Sequence, residues 1–379
     1  MSPAVMPEVA VLGAYGAVGE AAVRTIADLR PGTTVRLGGR DRPRAQALLD
    51  ASGLTGEAVA VDLNDGRSLA RFCRGTRLVF NCAGPSYLVQ DRVAWAAVAA
   101  GAHYVDPGGD EPVFDALQRP ETFTRTAVLN AGMQPGITGL LPKHLATLMS
   151  DPSALTAYVG TMDRLTPAGA ADYLLSMNGS YGEAQAAIRC GIRVQRELEP
   201  QTDITLPYIS ARVDAYPYLS FESGQLAAAL GLEQMDWYNF YVGGAHMMSC
   251  LSHLQGAMHG ESDLAEAAEE LVRAASLDLF GMSPFQLMLF QMTGTHYGAP
   301  ATRSLALKTH DTYAVTGLTG ALAVLEVLEG RVERGVHFAS DVLDAEAILA
   351  ELRLLPAVSV LDISHKPILG TLAIQEGEL

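Results

Sequence analysis

Gly13, Gly16 and Gly19 form the part of this sequence whose residue types and spacing bear most directly on chemistry. They lie in Gly13-Ala-Tyr15-Gly16-Ala17-Val18-Gly19, after the apolar run Val9 to Leu12 and at the start of a helical pattern running to Leu29. Three demands explain glycine at these places. The chain turns sharply off a strand, a phosphate approaches bare backbone, and a helix packs close to a sheet. The first turn of that helix offers uncapped N–H groups and partial positive charge to an anion. Taken alone the spacing is weak evidence. A strand before it and a helix after it make it a pyrophosphate-binding loop for a dinucleotide, with a ligand-free glycine turn as the alternative.

A second group lies farther along. Gly38-Gly39-Arg40-Asp41 ends the next apolar run, Thr34 to Leu37. An acid at that strand end would bind the ribose 2′-hydroxyl and repel a 2′-phosphate. Arg40 stands about there, and a guanidinium grips phosphate bidentately. Gly39 leaves it room, and Asp41 is free to cap the following helix, so NADP is the expected cofactor. A solvated surface charge is the alternative for Arg40. Asp62 follows the third strand, near where an adenine amine would lie; a turn residue is its plainer reading. Asn81-Cys82-Ala83-Gly84-Pro85 follows the fourth strand, and its small residues leave passage for the nicotinamide half. Cys82 reads as a small buried residue, because no His or Lys nearby in sequence would activate a thiolate.

These residues need a scaffold that brings several strand ends to one edge. The first third supplies it. Strands are expected at Val9 to Leu12, Thr34 to Leu37, Ala58 to Val61, Leu78 to Cys82, His103 to Val105 and Ala127 to Asn130, with helices at Gly19 to Leu29, Arg42 to Ala51 and Gln90 to Ala100. Continuous apolar strands alternating with helices specify a parallel sheet covered on both faces, a Rossmann-type α/β domain. The pattern changes near residue 150. Strands are expected at Ala157 to Thr161, Asp236 to Val242 and Arg303 to Lys308, the last alternating as in an antiparallel sheet. Helices are expected at Ser262 to Ala275, from Ser283-Pro284, at Thr316 to Glu329, and from Asp344 to Leu352. The apolar stretch Phe285 to Met292 reads as a buried helix, with a dimer contact or pocket wall as the sharper alternative. A homodimer is expected.

Composition narrows the function. Forty-two acids against 26 bases give a net charge of −16, which disfavours nucleic acid and anionic membrane surfaces as partners. The four cysteines, Cys73, Cys82, Cys190 and Cys250, form no CxxC pair, as expected for free thiols in a reducing compartment. The N-terminus has no signal-peptide pattern and no apolar stretch reaches the ~18 residues of a membrane span, so a cytoplasmic location is expected. No HExxH or HxxxH pair points to a metal, and no GxSxG elbow or P-loop lysine points to rival chemistries.

Three stretches together resemble the saccharopine dehydrogenase-like family of NAD(P)-dependent reductases. They are Val11 to Gly19, Val79 to Pro85 with Ala99 to Asp106, and Ala131-Gly-Met-Gln-Pro-Gly-Ile137. The likeness covers the first ~145 residues well and is patchy beyond. The resemblance implies a second, α+β domain with a mixed sheet. It also places the nicotinamide near Gly84-Pro85 and Pro135-Gly136, and implies reduction or oxidative cleavage of a C–N bond. It divides the chain into residues 1–145 (Rossmann), 146–340 (substrate-binding) and 341–379, a closing segment returning to the Rossmann domain. Saccharopine-forming members carry an acid where this chain has Gln134, and a cysteine where Asn178 stands in Met177-Asn-Gly-Ser-Tyr181. Both departures argue against saccharopine as substrate. The family also resembles stand-alone reductases of carrier-bound thiazolinyl imines in siderophore assembly, whose ring imine needs no pocket for an amino diacid.

Reducing an imine needs a hydride for carbon and a proton for nitrogen. Tyr181, in a glycine-rich turn, is the first choice for the acid, against a tyrosine lying over a loop in water. His246, after the Asp236 strand and a Gly243-Gly244 turn, is the second, against an exposed loop histidine. His253, His259 and His296 are weaker, Asp163 is a candidate to orient a base against a solvated turn, and bound water is a further source. The rival functions are a dehydrogenase of another amino or keto acid and a non-catalytic NADPH sensor. If Arg40 holds the 2′-phosphate, Arg40→Asp removes a charged hydrogen bond of about 1.5–3 kcal/mol. Titration should then show NADPH affinity falling about 10- to 100-fold while NADH affinity holds.

Overall fold

The computed structural model describes residues 6–118, 124–176, 182–242, 244–254 and 261–367. The chain runs β1 (Val9–Leu12), α1 (Ala17–Leu29), β2 (Thr34–Gly39), α2 (Arg42–Ser52), β3 (Thr55–Ala60), α3 (Gly66–Cys73), β4 (Leu78–Asn81), α4 (Ser86–Val89), α5 (Arg92–Ala99), β5 (His103–Val105), α6 (Glu111–Leu117), β6 (Thr126–Leu129) and α7 (Ile137–Thr147). It continues through β7 (Asp151–Met162), α8 (Pro167–Ser176), β8 (Gly182–Ala184), β9 (Ala187–Arg189), β10 (Ile192–Val194), β11 (Gln201–Thr205), β12 (Arg212–Ser220), α9 (Phe221–Leu230), β13 (Gln234–Tyr241), α10 (Ala245–Leu254), α11 (Glu261–Asp278), β14 (Phe285–His296) and β15 (Ala299–Thr309). Last come α12 (Thr312–Leu328), β16 (Gly335–Phe338), α13 (Ala339–Val342), α14 (Ala345–Leu354) and β17 (Val358–Ser364). Two compact units result, Met1–Leu140 with Tyr313–Asp344, and Leu141–Thr312 with Ala345–Leu379.

The first unit is built on a seven-stranded sheet in the order β16-β6-β5-β4-β1-β2-β3. Every pairing in it is parallel. The strands are apolar on both faces because both faces are covered. Val9 and Val11 of β1 point into one core with Val23 and Ile26 of α1, Leu48 of α2 and Val324 of α12. Ala10 and Leu12 point into the other, with Phe72 of α3 and Val93 and Ala97 of α5. The strand order reverses between β1 and β4, and ligands of such sheets bind at that switch point, beyond the carboxyl ends of the strands.

The second unit is a mixed sheet in the order β10-β9-β13-β7-β14-β15-β17, with β12 beside β13 and β8 and β11 beside β12. β13 and β7 run parallel, while β14 and β15 form a long antiparallel hairpin. The hairpin closes on Tyr297 and Gly298, both at positive φ, as their place in a two-residue turn requires. One face carries the core around Tyr158, Phe240, Leu287 and Leu289. Helices α8, α10 and α11 share a separate apolar cluster around Leu174, Leu251 and Leu271.

Two sequence expectations are corrected. Residues 285–292 are not a helix but the first part of β14, flanked on both sides by β7 and β15. A run apolar on every side carries no period, so burial between two strands settled what periodicity left open. The closing segment also divides differently. Residues Tyr313–Asp344 return to the first unit, where β16 pairs with β6; α14 and β17 then rejoin the second unit, β17 along β15. Edge-strand pairing is a long-range choice that local pattern does not encode. Among the described residues, no helix is long and apolar enough to cross a membrane, and no group of three or more His, Cys, Asp or Glu is placed to hold a metal ion.

The returning helix α12 lies against α1 and the sheet through small residues. A Cβ on Gly317 would stand 2.6 Å from the Ala21 methyl and 2.7 Å from the Ala22 backbone nitrogen. Backbone cannot yield as a flexible side chain does. Gly317→Val should therefore lower the unfolding free energy by about 1–3 kcal/mol, as overpacking does, read as a shift in the urea midpoint.

Candidate functional site

The glycine loop is tied between its neighbouring strands. The N–H groups of Gly13 and Ala14 both donate to the Gly38 carbonyl, at 2.9 and 3.1 Å. Gly13 has φ +73°, and a Cβ there would lie 2.6 Å from the Cys82 carbonyl oxygen. A Cβ on Gly19 would overlap the Gly13 and Ala14 carbonyl oxygens. Those two glycines are thus explained by the fold itself. Gly16 is different: it is exposed, with φ −73°, and its Cβ would meet only the Gly13 oxygen, at 3.2 Å. Among the described residues that is a single tight contact, far milder than the overlaps at Gly13 and Gly19. It is also the N-cap of α1 without a side-chain cap, so the first-turn N–H groups of Ala17, Val18 and Gly19 have no partner from their own helix. Bare backbone beside an uncapped helix start fits a pyrophosphate.

The β2 end is arranged around Tyr15. Its hydroxyl accepts the Asp41 N–H at 2.8 Å, and its ring lies where a Cβ on Gly39 would overlap it. The Arg44 guanidinium sits 4.5 Å from the ring centroid. The Asp41 carboxylate accepts the Arg44 N–H at 3.1 Å and caps α2. The acid beside Arg40 is thereby committed to the helix. Arg40 itself is exposed, with no hydrogen bond or ion pair to any described residue. Arg42, by contrast, donates from Nε to the Ala58 carbonyl at 2.9 Å. Asp62, beyond β3, is exposed and accepts the Asn64 N–H at 2.9 Å, a turn role that leaves its second oxygen open.

Beyond β4, the loop Cys82, Ala83, Gly84 and Pro85 leads into α4, and the Gly84–Pro85 bond is cis. A buried polar network holds it. The Asn81 amide donates to the Asp106 carboxylate at 2.9 Å and to the Tyr104 hydroxyl at 3.2 Å, while its oxygen accepts the Ala83 N–H at 3.2 Å. Tyr104 donates to the same carboxylate, which also accepts the Gly108 N–H at 2.8 Å. Burial, then the Asp106 charge, pushes both the Tyr104 hydroxyl and the Cys82 thiol well above their ordinary values. Cys82 is accordingly a neutral thiol, in keeping with its sequence reading. Asn81 heads the loop motif and Tyr104 and Asp106 lie in a stretch of the resemblance, but the sequence assigns them no bracing role; the run His103-Tyr104-Val105-Asp106, ending a strand in an acid, is the available signal.

After β6, Pro135 follows a second cis bond and Gly136 has φ +127°, where a Cβ would overlap the Asn130 and Gly132 carbonyl oxygens. Asn130 lies 1% exposed at φ +54°, and neither polar atom of its side chain has a hydrogen-bond partner. An unsatisfied buried amide costs about 1–3 kcal/mol, and such exceptions call for an explanation. Here it lies beside the Pro135-Gly136 turn, at the same carboxyl edge as the other cofactor residues. Every predicted cofactor residue follows or ends a strand of this one sheet. Tyr181 lies outside the described residues. His246 is exposed in the first turn of α10 in the second unit, where Asp278 accepts its backbone N–H at 3.1 Å.

A Rossmann sheet with a bare, uncapped helix start at its switch point defines a dinucleotide-binding protein. Comparison narrows the class. Residues 9–134 match the family described as "Saccharopine dehydrogenase NADP binding domain". Residues 9–134 thus match an NADP-binding domain, and NADP is the cofactor. Among solved structures the chain is similar to saccharopine dehydrogenase (L-Glu forming) from Saccharomyces cerevisiae, at 16% identity, covering 95% of this chain and 99% of that one, with a TM-score of 0.66. It is also similar to homospermidine synthase from Legionella pneumophila in complex with NAD, at 10% identity, covering 96% and 92%, with a TM-score of 0.56. At such identities the likeness is one of fold. No curated protein sequence matches the chain.

Gly16 separates cofactor binding from folding. Gly16→Val should weaken NADPH binding by tenfold or more, about 1.4 kcal/mol or above, by placing carbon where phosphate would lie. Fluorescence titration measures the loss, and a melting temperature near that of the wild type would confirm that the fold is intact.

Proposed function

We propose that this protein is an NADPH-dependent oxidoreductase that reduces a C=N bond. The observation that carries the reading is the match of residues 9–134 to a saccharopine dehydrogenase NADP binding domain, joined to a second unit large enough to bind substrate. The glycine loop would hold the pyrophosphate and Arg40 the 2′-phosphate. The Cys82–Pro85 and Pro135-Gly136 turns would border the nicotinamide end. Bound NADPH supplies the hydride. Asp106, through Asn81, keeps the Cys82–Pro85 loop in one position, so its backbone is set before a ligand arrives. The specific substrate to try first is a carrier-bound thiazolinyl imine of siderophore assembly. Gln134 supports this over an amino diacid: it is a neutral side chain beside Pro135, where saccharopine-forming relatives place an acid. The remaining requirement is a proton for nitrogen, with Tyr181 proposed to supply it and His246 next.

The test is NADPH oxidation followed at the reduced-nicotinamide band with a panel of cyclic imines and keto acids. Turnover with a thiazoline-type imine supports the reading. Turnover only with an amino or keto acid replaces it by an amino-acid dehydrogenase. NADPH binding with no turnover on any substrate leaves a sensor. With an active imine in hand, Tyr181→Phe should lower kcat by about 10²–10⁴, the usual worth of a general acid, at unchanged NADPH affinity. An unchanged kcat moves the role to His246 or to water.

A further inference from the structure

In the second unit, α8 and β13 bring two tyrosine hydroxyls together. The Tyr173 and Tyr241 oxygens lie 2.7 Å apart, and both residues are half-buried. Two hydroxyls carry two protons, and the bond between them uses one. The other O–H has no acceptor among the described residues. Asn239 precedes Tyr241 by two positions, on the same face of β13, and its Oδ1 is buried without a hydrogen-bond partner. Tyr216 of β12 stands directly opposite Asn239 in the register, with its ring 6.4 Å from that of Tyr241. An unused donor and an unused acceptor therefore lie one strand repeat apart, roughly 6–7 Å, beside an exposed aromatic ring. No acid or base among the described residues perturbs either hydroxyl. Burial raises Tyr173 first, then the Tyr241 oxygen; Tyr241 is raised by burial and by Tyr216.

We propose that Tyr173, Tyr241 and Asn239 form a binding site for an uncharged amide-like group of the substrate. Its carbonyl oxygen would accept the free tyrosine proton, and its N–H would donate to Asn239 Oδ1. The proposal rests on the oxidoreductase reading and specifies a feature of the substrate: a neutral secondary amide where another substrate would carry a free carboxylate. A buried unpaired polar atom penalises any ligand that cannot satisfy it. A free carboxylate brings a charge to a site with no counter-charge among the described residues and leaves no donor for Asn239 Oδ1 in its present orientation, so the neutral amide is preferred.

The experiment uses the full chain loaded with NADP⁺, so that binding is measured without turnover. The probes are a phenylthiazoline N-methylcarboxamide and the corresponding free carboxylic acid, titrated calorimetrically at neutral pH. The wild type should bind the amide about tenfold or more tightly than the acid, one hydrogen bond to a buried partner being worth about that much. Tyr173→Phe, Tyr241→Phe and Asn239→Leu should each erase most of that preference. NADPH affinity should stay within about twofold of wild type, and an unchanged melting profile of each full-length variant reports an intact second unit. Equal binding of the two probes by the wild type, no binding of the amide, or variants that keep the preference would overturn the site. The reductase reading stands or falls separately: amide-selective binding without NADPH oxidation on any imine keeps the site and removes the reaction.

Discussion

The first unit depends on one close approach, that of the chain leaving β1 to the chain leaving β4. Gly13 lies so near the Cys82 carbonyl that no side chain fits between them. That contact joins the loop proposed for the pyrophosphate to the loop that follows β4. Strands β1 and β4 are hydrogen-bonded neighbours over their full length, Val9 opposite Leu78 and Leu12 opposite Asn81. The sheet thereby sets the distance between the two loops. The Asp106 network then fixes the β4 loop from below. Tyr104, Asn81 and Gly108 all donate to this buried carboxylate and offset the cost of its burial.

The second unit is organised on a different principle. Its sheet is held mostly by long antiparallel pairings, with β7 and β13 the one parallel pair among its described strands, and β14 pairs along its length with both β7 and β15. On its sheet the Tyr173–Tyr241 pair lies beside the unpartnered Asn239 Oδ1. The Asp106 cluster is saturated; the Tyr173–Tyr241 pair and Asn239 are not. A saturated cluster serves to brace, and an unsaturated one has hydrogen-bonding capacity left for a partner.

Much of the first unit was legible in the sequence. Strands buried on both faces are continuous apolar runs, and Val9 to Leu12 or Leu78 to Phe80 announce themselves. Glycines required by backbone overlap, such as Gly13 and Gly19, are legible for the same reason: a local geometry admits nothing larger. Asp41 could be read as a helix cap because capping is also local. What could not be read was long-range. Phe285 to Met292 is apolar on all sides whether helical or extended, and only the pairing with β7 and β15 decides. The Asn81–Tyr104–Asp106 network joins residues from adjacent strands, and the Tyr173–Tyr241 contact joins positions 68 apart in sequence. Tyr181, the first choice for an acid, lies outside the described residues, so its placement adds nothing to the reading.

The path of the chain has a consequence for how the protein is made. The first unit is interrupted after Leu140 and completed only by Tyr313–Asp344. A nascent chain that has emerged as far as Leu140 has six of the seven strands but lacks α12 and β16. Phe80 and Ala131, which α12 approaches closely at Gly320, then have no cover, and β6 is left as an open edge able to pair with other chains. The interruption thus prolongs vectorial synthesis in an incomplete, adhesive state, the circumstance in which ribosome-associated chaperones act. A cofactor site encoded almost wholly in the first third of the gene still waits on residue 344 for its scaffold.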